Sequence, residues 1–198
     1  MKKPFAHIAM CLVFAGANIA AAAAEAVAPL RQTGLPNQVC LGYQFTDYDY
    51  ELKTANGVTR ATANGINAEF RYHTGSSRLG PIGALRYSTG SPLGQTLGTA
   101  AAGASYVRPI GRWAPFAQAM GGVARLTSTD QMYLQQSALT GFTTLLGVGV
   151  DVQLSSHWGV RPIYIENQYL PSFGPHGSVY WNAGGGVLFR FDSFGHRR

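Results

Sequence analysis

The chain has 198 residues and a formal charge of +6, and only 12% of its residues are charged, against about 25% in soluble domains. So little charge excludes an ordinary water-soluble surface, and beyond residue 26 no apolar run reaches the roughly 18 residues of a spanning helix. Apart from Arg197-Arg198, its arginines are scattered singly, which excludes the basic stripe of a nucleic-acid-binding surface.

In chain order, Lys2 and Lys3 come first, then an apolar stretch over 8–24, then the small-residue site Ala24-Glu25-Ala26. That order is a secretory signal peptide over 1–26, which predicts Sec-type export and a mature N-terminus at Val27. Cleavage leaves 13 Lys and Arg against 8 Asp and Glu, a net +5, with Lys53 the one remaining lysine. It also removes Cys11, so Cys40 has no intramolecular disulfide partner. Residues 27–38, with Pro29, Gly34 and Pro36, read as an extended leader. A chain too apolar for water and without a helical span has one membrane solution, the closed β-barrel.

Turn residues divide the remainder into eight runs, 39–48, 63–73, 81–88, 99–107, 114–125, 142–154, 158–170 and 178–191. Most are near the 9–11 residues that a tilted membrane strand needs. In the second run, Ile66, Ala68, Phe70 and Tyr72 alternate with Asn67, Glu69, Arg71 and His73. In the sixth, Leu146, Val148, Val150, Val152 and Leu154 oppose Gly147, Gly149, Asp151 and Gln153. In the eighth, Val179, Trp181, Ala183, Val187, Phe189 and Phe191 oppose Tyr180, Asn182, Gly184, Gly186 and Arg190. This two-residue period is that of barrel strands with apolar side chains outward and polar ones inward. A soluble sandwich has the same period, and composition decides between them. The fourth and fifth runs lack a polar face, and their small residues are expected to leave room for neighbours to fill a narrow lumen.

Longer connections follow the first and fifth runs, and tight ones lie at 109–112 and 155–157. Alternating long and short connections are the mark of outer-membrane barrels, with long loops outside and short turns in the periplasm. Aromatics at the run ends, among them Tyr43, Phe45, Tyr48, Tyr50, Trp113, Trp158, Tyr164, Tyr169 and Phe173, suit the membrane–water boundary. Residues 39–191 are therefore expected to form an all-β, eight-stranded, antiparallel up-and-down transmembrane barrel. The leader would be periplasmic, and 192–198 a short C-terminal tail.

The segments Pro115-Phe116-Ala117, Gly147-Val148-Gly149-Val150-Asp151-Val152, Trp158-Gly159-Val160-Arg161-Pro162 and Asn182-Ala183-Gly184-Gly185-Gly186-Val187-Leu188-Phe189-Arg190-Phe191 resemble the OmpA-like transmembrane β-barrel superfamily. The match covers the last four strands, and the first four agree by pattern. The resemblance implies an eight-stranded barrel of the bacterial outer membrane, inserted by the barrel-assembly machinery. Gly186, Phe189 and Phe191 resemble the family's assembly signal. Two departures are Gly184, where a polar residue is usual, and the seven residues after Phe191.

Charges inside strands carry the remaining information. An arginine facing lipid at mid-depth costs about 2–4 kcal/mol. Glu69, Arg71, Arg86, Asp151, Arg161, Glu166 and Arg190 are therefore expected to face the lumen, with Arg71, Arg86 and Arg190 pairing with Glu69, Asp151 or Glu166. An eight-stranded barrel is just wide enough for side chains to fill, so these charges should close it. Arg161 and Glu166 are five apart and share a face only if a bulge intervenes, for which Pro162 is the candidate.

No cofactor is implied, and no two histidines have metal-ligand spacing. His176-Gly177-Ser178 has the elements of a nucleophile pair, but the nearest carboxylates are Glu166 and Asp192, so a turn is the better reading. The expected function is a non-enzymatic barrel with a structural or surface-interaction role, lodged among outer-membrane lipid and lipopolysaccharide. A narrow pore and a lipid A-modifying enzyme are the alternatives.

Overall fold

A computed structural model describes residues 37–49, 60–73, 77–91, 95–128, 138–173 and 177–191. The segment expected to be a signal peptide and most of the expected leader, with Tyr50, His176 and residues 192–198, lie outside the described residues. Eight strands follow one another: β1 (Asn37–Asp49), β2 (Arg60–Arg71), β3 (Leu79–Ser91), β4 (Gln95–Val107), β5 (Trp113–Ser128), β6 (Ala138–Gln153), β7 (Trp158–Leu170) and β8 (Ser178–Phe191). Each pairs antiparallel with its neighbours, and β8 pairs with β1 to close the barrel. Closure leaves no edge strand with unpaired backbone groups, which lipid could not satisfy.

Most predicted strands lie within the observed ones, and the differences have physical causes. The leader was expected to run to Gln38, but Asn37 and Gln38 already pair with Phe191 and Arg190. The seam needs both residues to match the length of β8. β5 and β6 extend to Ser128 and from Ala138, so their strands continue toward the long connection.

The outer surface is apolar. Leu41, Ile66, Leu85, Val123, Leu146 and Val187 are among many large apolar side chains that are half or more exposed. Inside, side chains stack in layers. Near the end that carries the β1–β2 and β5–β6 connections, Leu97, Leu126, Leu170, Phe173 and Tyr180 pack together. Ile82, Ala84, Met120 and Leu145 form a second cluster, and Val107, Ala114, Phe116 and Tyr164 a third. Outward apolar groups and an interior with buried charge invert the soluble pattern, as a membrane barrel requires.

Four expectations about facing need correction. Val152 was expected outward but is buried beside Asp151, because the β6–β7 register shifts between Val150 and Val152. Tyr164 and Phe173, read as boundary aromatics, are buried in the lumen. On β4 and β5, the small residues Ala100, Ala102, Ala104, Ala117 and Ala119 face out, while Phe116, Gln118 and Met120 face in. The room for lumenal bulk comes instead from inward glycines. A Cβ on Gly147 would meet Gln118 at 3.2 Å, and one on Gly149 would meet the Phe116 ring at 2.6 Å.

Candidate functional site

The centre of the lumen holds a network of acidic and basic side chains from four strands, joined by an amide from a fifth. β2 contributes Glu69 and Arg71, β3 Arg86, β6 Asp151, and β7 Arg161 and Glu166, while β5 adds Gln118. All six charged side chains are at most 5% exposed. Glu69 is the hub. It accepts a hydrogen bond from Arg86 Nη2 at 2.9 Å and a short one from Arg161 Nη1, and Arg71 Nη2 lies 3.9 Å away. Asp151 bridges two cations, Arg71 Nη1 at 2.9 Å and Arg161 Nε at 2.8 Å, and takes a third bond from Gln38 at 3.0 Å.

Glu166 forms the third node. Arg86 Nη1 lies 2.6 Å from its Oε1. The contact is ionic only, since Nη1 makes no hydrogen bond of acceptable angle. Gln118 ties the nodes together: its amide donates to Glu69 and Glu166 at 3.3 Å each, and its oxygen accepts from Arg71 at 3.2 Å. The Phe116 ring lies under both Arg71 and Arg161, 3.8 and 4.3 Å from the guanidinium carbons. Such contacts add cation–π attraction where water is excluded. Three cations thus meet three carboxylates, the balance that a low-dielectric interior requires.

A bulge settles the facing of β7. The β7–β8 register shifts between Arg161 and Tyr164, where Pro162 and Ile163 are both exposed. The extra residue lets Arg161 and Glu166 both point inward despite their odd separation. Arg190 is also buried, but it makes no ion pair among the described residues, contrary to the expected pairing. Asp151, the carboxylate whose charge Arg190 feels, is already occupied by Arg71 and Arg161.

A polar layer lies toward the loop end. Tyr164 donates to Gln44 at 3.0 Å and accepts from Asn67 at 2.7 Å. Thr46 donates to Asn182, which in turn donates to Glu166 at 3.2 Å. At the opposite end, the backbone N–H of His73 donates to Asn37 Oδ1 at 2.8 Å. Burial, reinforced by the Arg71 cation, lowers the His73 pKa and keeps its ring neutral. Cys40 is buried facing the lumen as a free thiol. Phe116 and Gln118 of β5 went unrecognised as lumenal residues in the sequence. A small–large alternation on β5, rather than apolar–polar, was the available signal.

Of the His176-Gly177-Ser178 segment, His176 lies outside the described residues. Ser178 Oγ donates to the Phe173 carbonyl at 2.7 Å, and Glu166 is held by Arg86 and Asn182. Among the described residues, no three His, Cys, Asp or Glu side chains gather as metal ligands.

At the assembly-signal positions, Phe189 and Phe191 stack at 6.4 Å, Trp158 meets Phe189 edge-on at 5.2 Å, and Phe70 stacks on Phe191 at 6.1 Å. Gly186 sits opposite Gly42 in the seam. This aromatic band reaches from β7 to β2 across the closure. Phe191→Asp is expected to lower the yield of folded barrel in outer membranes several-fold, and more than deletion of 192–198 does. The charge would lie at the apolar boundary, where aromatic girdles form. Quantifying folded and unfolded bands by heat-modifiable gel mobility checks this.

No family model and no curated protein matches the sequence. Solved structures do. The Neisserial surface protein A superposes with a TM-score of 0.60 at 13% identity, covering 78% of this chain and 97% of that one. The N-terminal β-barrel domain of Pseudomonas aeruginosa OprF gives 0.50 at 17% identity, over 80% and 99%. Ail, the attachment invasion locus protein of Yersinia pestis, gives 0.47 at 17%, over 79% and 99%. The class is thereby defined: an eight-stranded transmembrane β-barrel of the outer-membrane type. Within that class it has the fold that resemblance to the OmpA-like superfamily implies.

Proposed function

We propose that this protein is a non-conducting, non-enzymatic barrel of the bacterial outer membrane, with a structural or surface-interaction role. One observation carries the reading: six charged side chains and Gln118 lock together across the middle of the lumen. Apolar clusters pack toward both ends of that layer. An ion would have to break several charge-assisted bonds to pass, and each such bond is among the stronger kinds in proteins. A wall braced in this way is a rigid frame for its connecting loops, which are free to vary and to meet partners. Its surroundings in this reading are outer-membrane lipid and lipopolysaccharide, and its insertion depends on the barrel-assembly machinery.

Planar-bilayer recording of the purified protein tests it. No unit conductance steps above baseline are expected. Reproducible steps would replace this reading with a narrow pore. Mass spectrometry of lipid A with and without expression should show no new species, and a deacylated or newly acylated product would make the protein an enzyme.

A further inference from the structure

The placement of bulk inside β4 and β5 leaves their outer face thin. A groove of about 640 Å³ runs there, with Gly98 and Ala100 on its floor and Leu85 and Val123 on its walls. It continues into a second hollow of about 620 Å³ that shares Ala100, Leu85 and Val123 and reaches Gly83 and Ala102. Gly98 and Gly83 are unusual among the glycines of the wall. A Cβ added to either meets nothing within 4 Å, and neither has a positive φ. Gly103 and Gly122, by contrast, would drive a Cβ to within 2.0–2.1 Å of neighbouring backbone oxygens. Backbone crowding therefore does not explain glycine at 98 and 83, although glycine weakens a strand. What the two share is that each opens the same trough.

The trough has a polar rim at one end. Arg125 lines it, exposed, beside Thr140 and in register with Gly98. It lies three residues from the end of β5, on the side of the β5–β6 connection. The chain termini of an even-stranded barrel lie in the periplasm, so this end faces outward. A lipid-facing arginine is tolerable near that boundary, and there it meets the headgroups of the outer leaflet.

We propose that this groove holds an acyl chain of a phosphorylated, multiply acylated glucosamine lipid of the outer leaflet, whose phosphate meets Arg125. A guanidinium with no ion-pair partner among the described residues, above an apolar channel, complements an anionic head above a hydrocarbon tail, and its planar fork fits phosphate bidentately. A second copy of this chain fits poorly. Two-fold pairing would set hollow against hollow and bring two Arg125 side chains together. The proposal rests on the outer-membrane placement in the reading above, but not on what the loops bind or on whether the lumen conducts.

The test is native mass spectrometry of the full-length protein extracted from outer membranes in mild detergent. Wild type should retain one such lipid per barrel. Arg125→Gln, which removes the charge, and Gly98→Leu, which fills the floor, should each reduce retention at least tenfold. Ile165→Ala, on the outer face of β7, should not. Heat-modifiable mobility confirms that each variant is folded, and Arg125→Gln tests the idea alone should Gly98→Leu fail to fold. Equal retention by all four proteins, retention of phosphatidylglycerol in place of the glucosamine lipid, or a dimer occluding the groove would overturn the proposal.

Discussion

Replacing Glu69 with glutamine should destabilise the barrel by about 3–5 kcal/mol, the usual cost of leaving buried charges without their partner. Three arginines converge on this carboxylate, Arg86 and Arg161 directly and Arg71 at 3.9 Å. Glutamine keeps the volume and one acceptor oxygen but removes the charge that offsets them. Asp151 holds two arginines and Glu166 one, so the order of loss should be Glu69→Gln, then Asp151→Asn, then Glu166→Gln. Asp47→Asn, outside the network, should change stability by less than about 0.5 kcal/mol. Pairing Glu69→Gln with Arg161→Met should lose less than Glu69→Gln alone, since removing both partners of a buried pair spares the unpaired charge. Urea unfolding in phospholipid vesicles, followed by tryptophan fluorescence, measures all five. Midpoints that do not separate Glu69→Gln from Asp47→Asn would mean that the network does not brace the wall.

How much of this was readable in advance depends on the kind of information each feature needs. Facing was readable. Charge in a lipid-facing position is costly enough that Glu69, Arg71, Arg86 and Asp151 could only point inward, and they do. The inward turn of both Arg161 and Glu166 required a bulge, and Pro162 marked its place because proline cannot donate to a ladder. The bulge at Asp151 had no such marker, so Val152 was placed on the wrong face. Pairing was less readable, because it depends on distances across the lumen rather than on period. Arg190 shows this: it faces inward as its alternation requires, yet Arg71 and Arg161 reach Asp151 from other strands. β5 escaped for a third reason. Its inward face is bulky rather than polar, so a search for apolar-out alternation passes over Phe116, Gln118 and Met120. The groove outside follows from that same inversion, since bulk moved into the lumen is bulk missing from the wall.

Gly184→Val should block closure of the barrel, whereas Gly98→Val should leave it intact. Gly184 was notable in the sequence as a departure from the polar residue usual at that position, and the seam explains it. It pairs with Gln44 of β1 on one side and Tyr164 of β7 on the other. A Cβ there would lie 2.2 Å from the Tyr43 carbonyl oxygen, 3.0 Å from Gln44 Cα and 2.9 Å from the Tyr164 ring. The first two are backbone, which can yield only by moving β1 away from β8. The third is the ring that joins Gln44 and Asn67 inside the lumen. Overpacking in a close-packed interior costs about 1–3 kcal/mol even where side chains can adjust. Here the displaced backbone also belongs to the pairing that removes the sheet's two edges, and open edges cannot persist in lipid. Valine itself is a favourable strand residue, so a loss cannot be charged to poor β-propensity. The Gly98 variant controls for that directly, because its Cβ enters open space. Refolding both variants into phospholipid vesicles and scoring the heat-modifiable band should give wild-type yield for Gly98→Val and little folded barrel for Gly184→Val. A wild-type yield for Gly184→Val would mean that β1 and β8 can separate enough to accept a side chain, and that the close approach at this seam is not what closes the barrel.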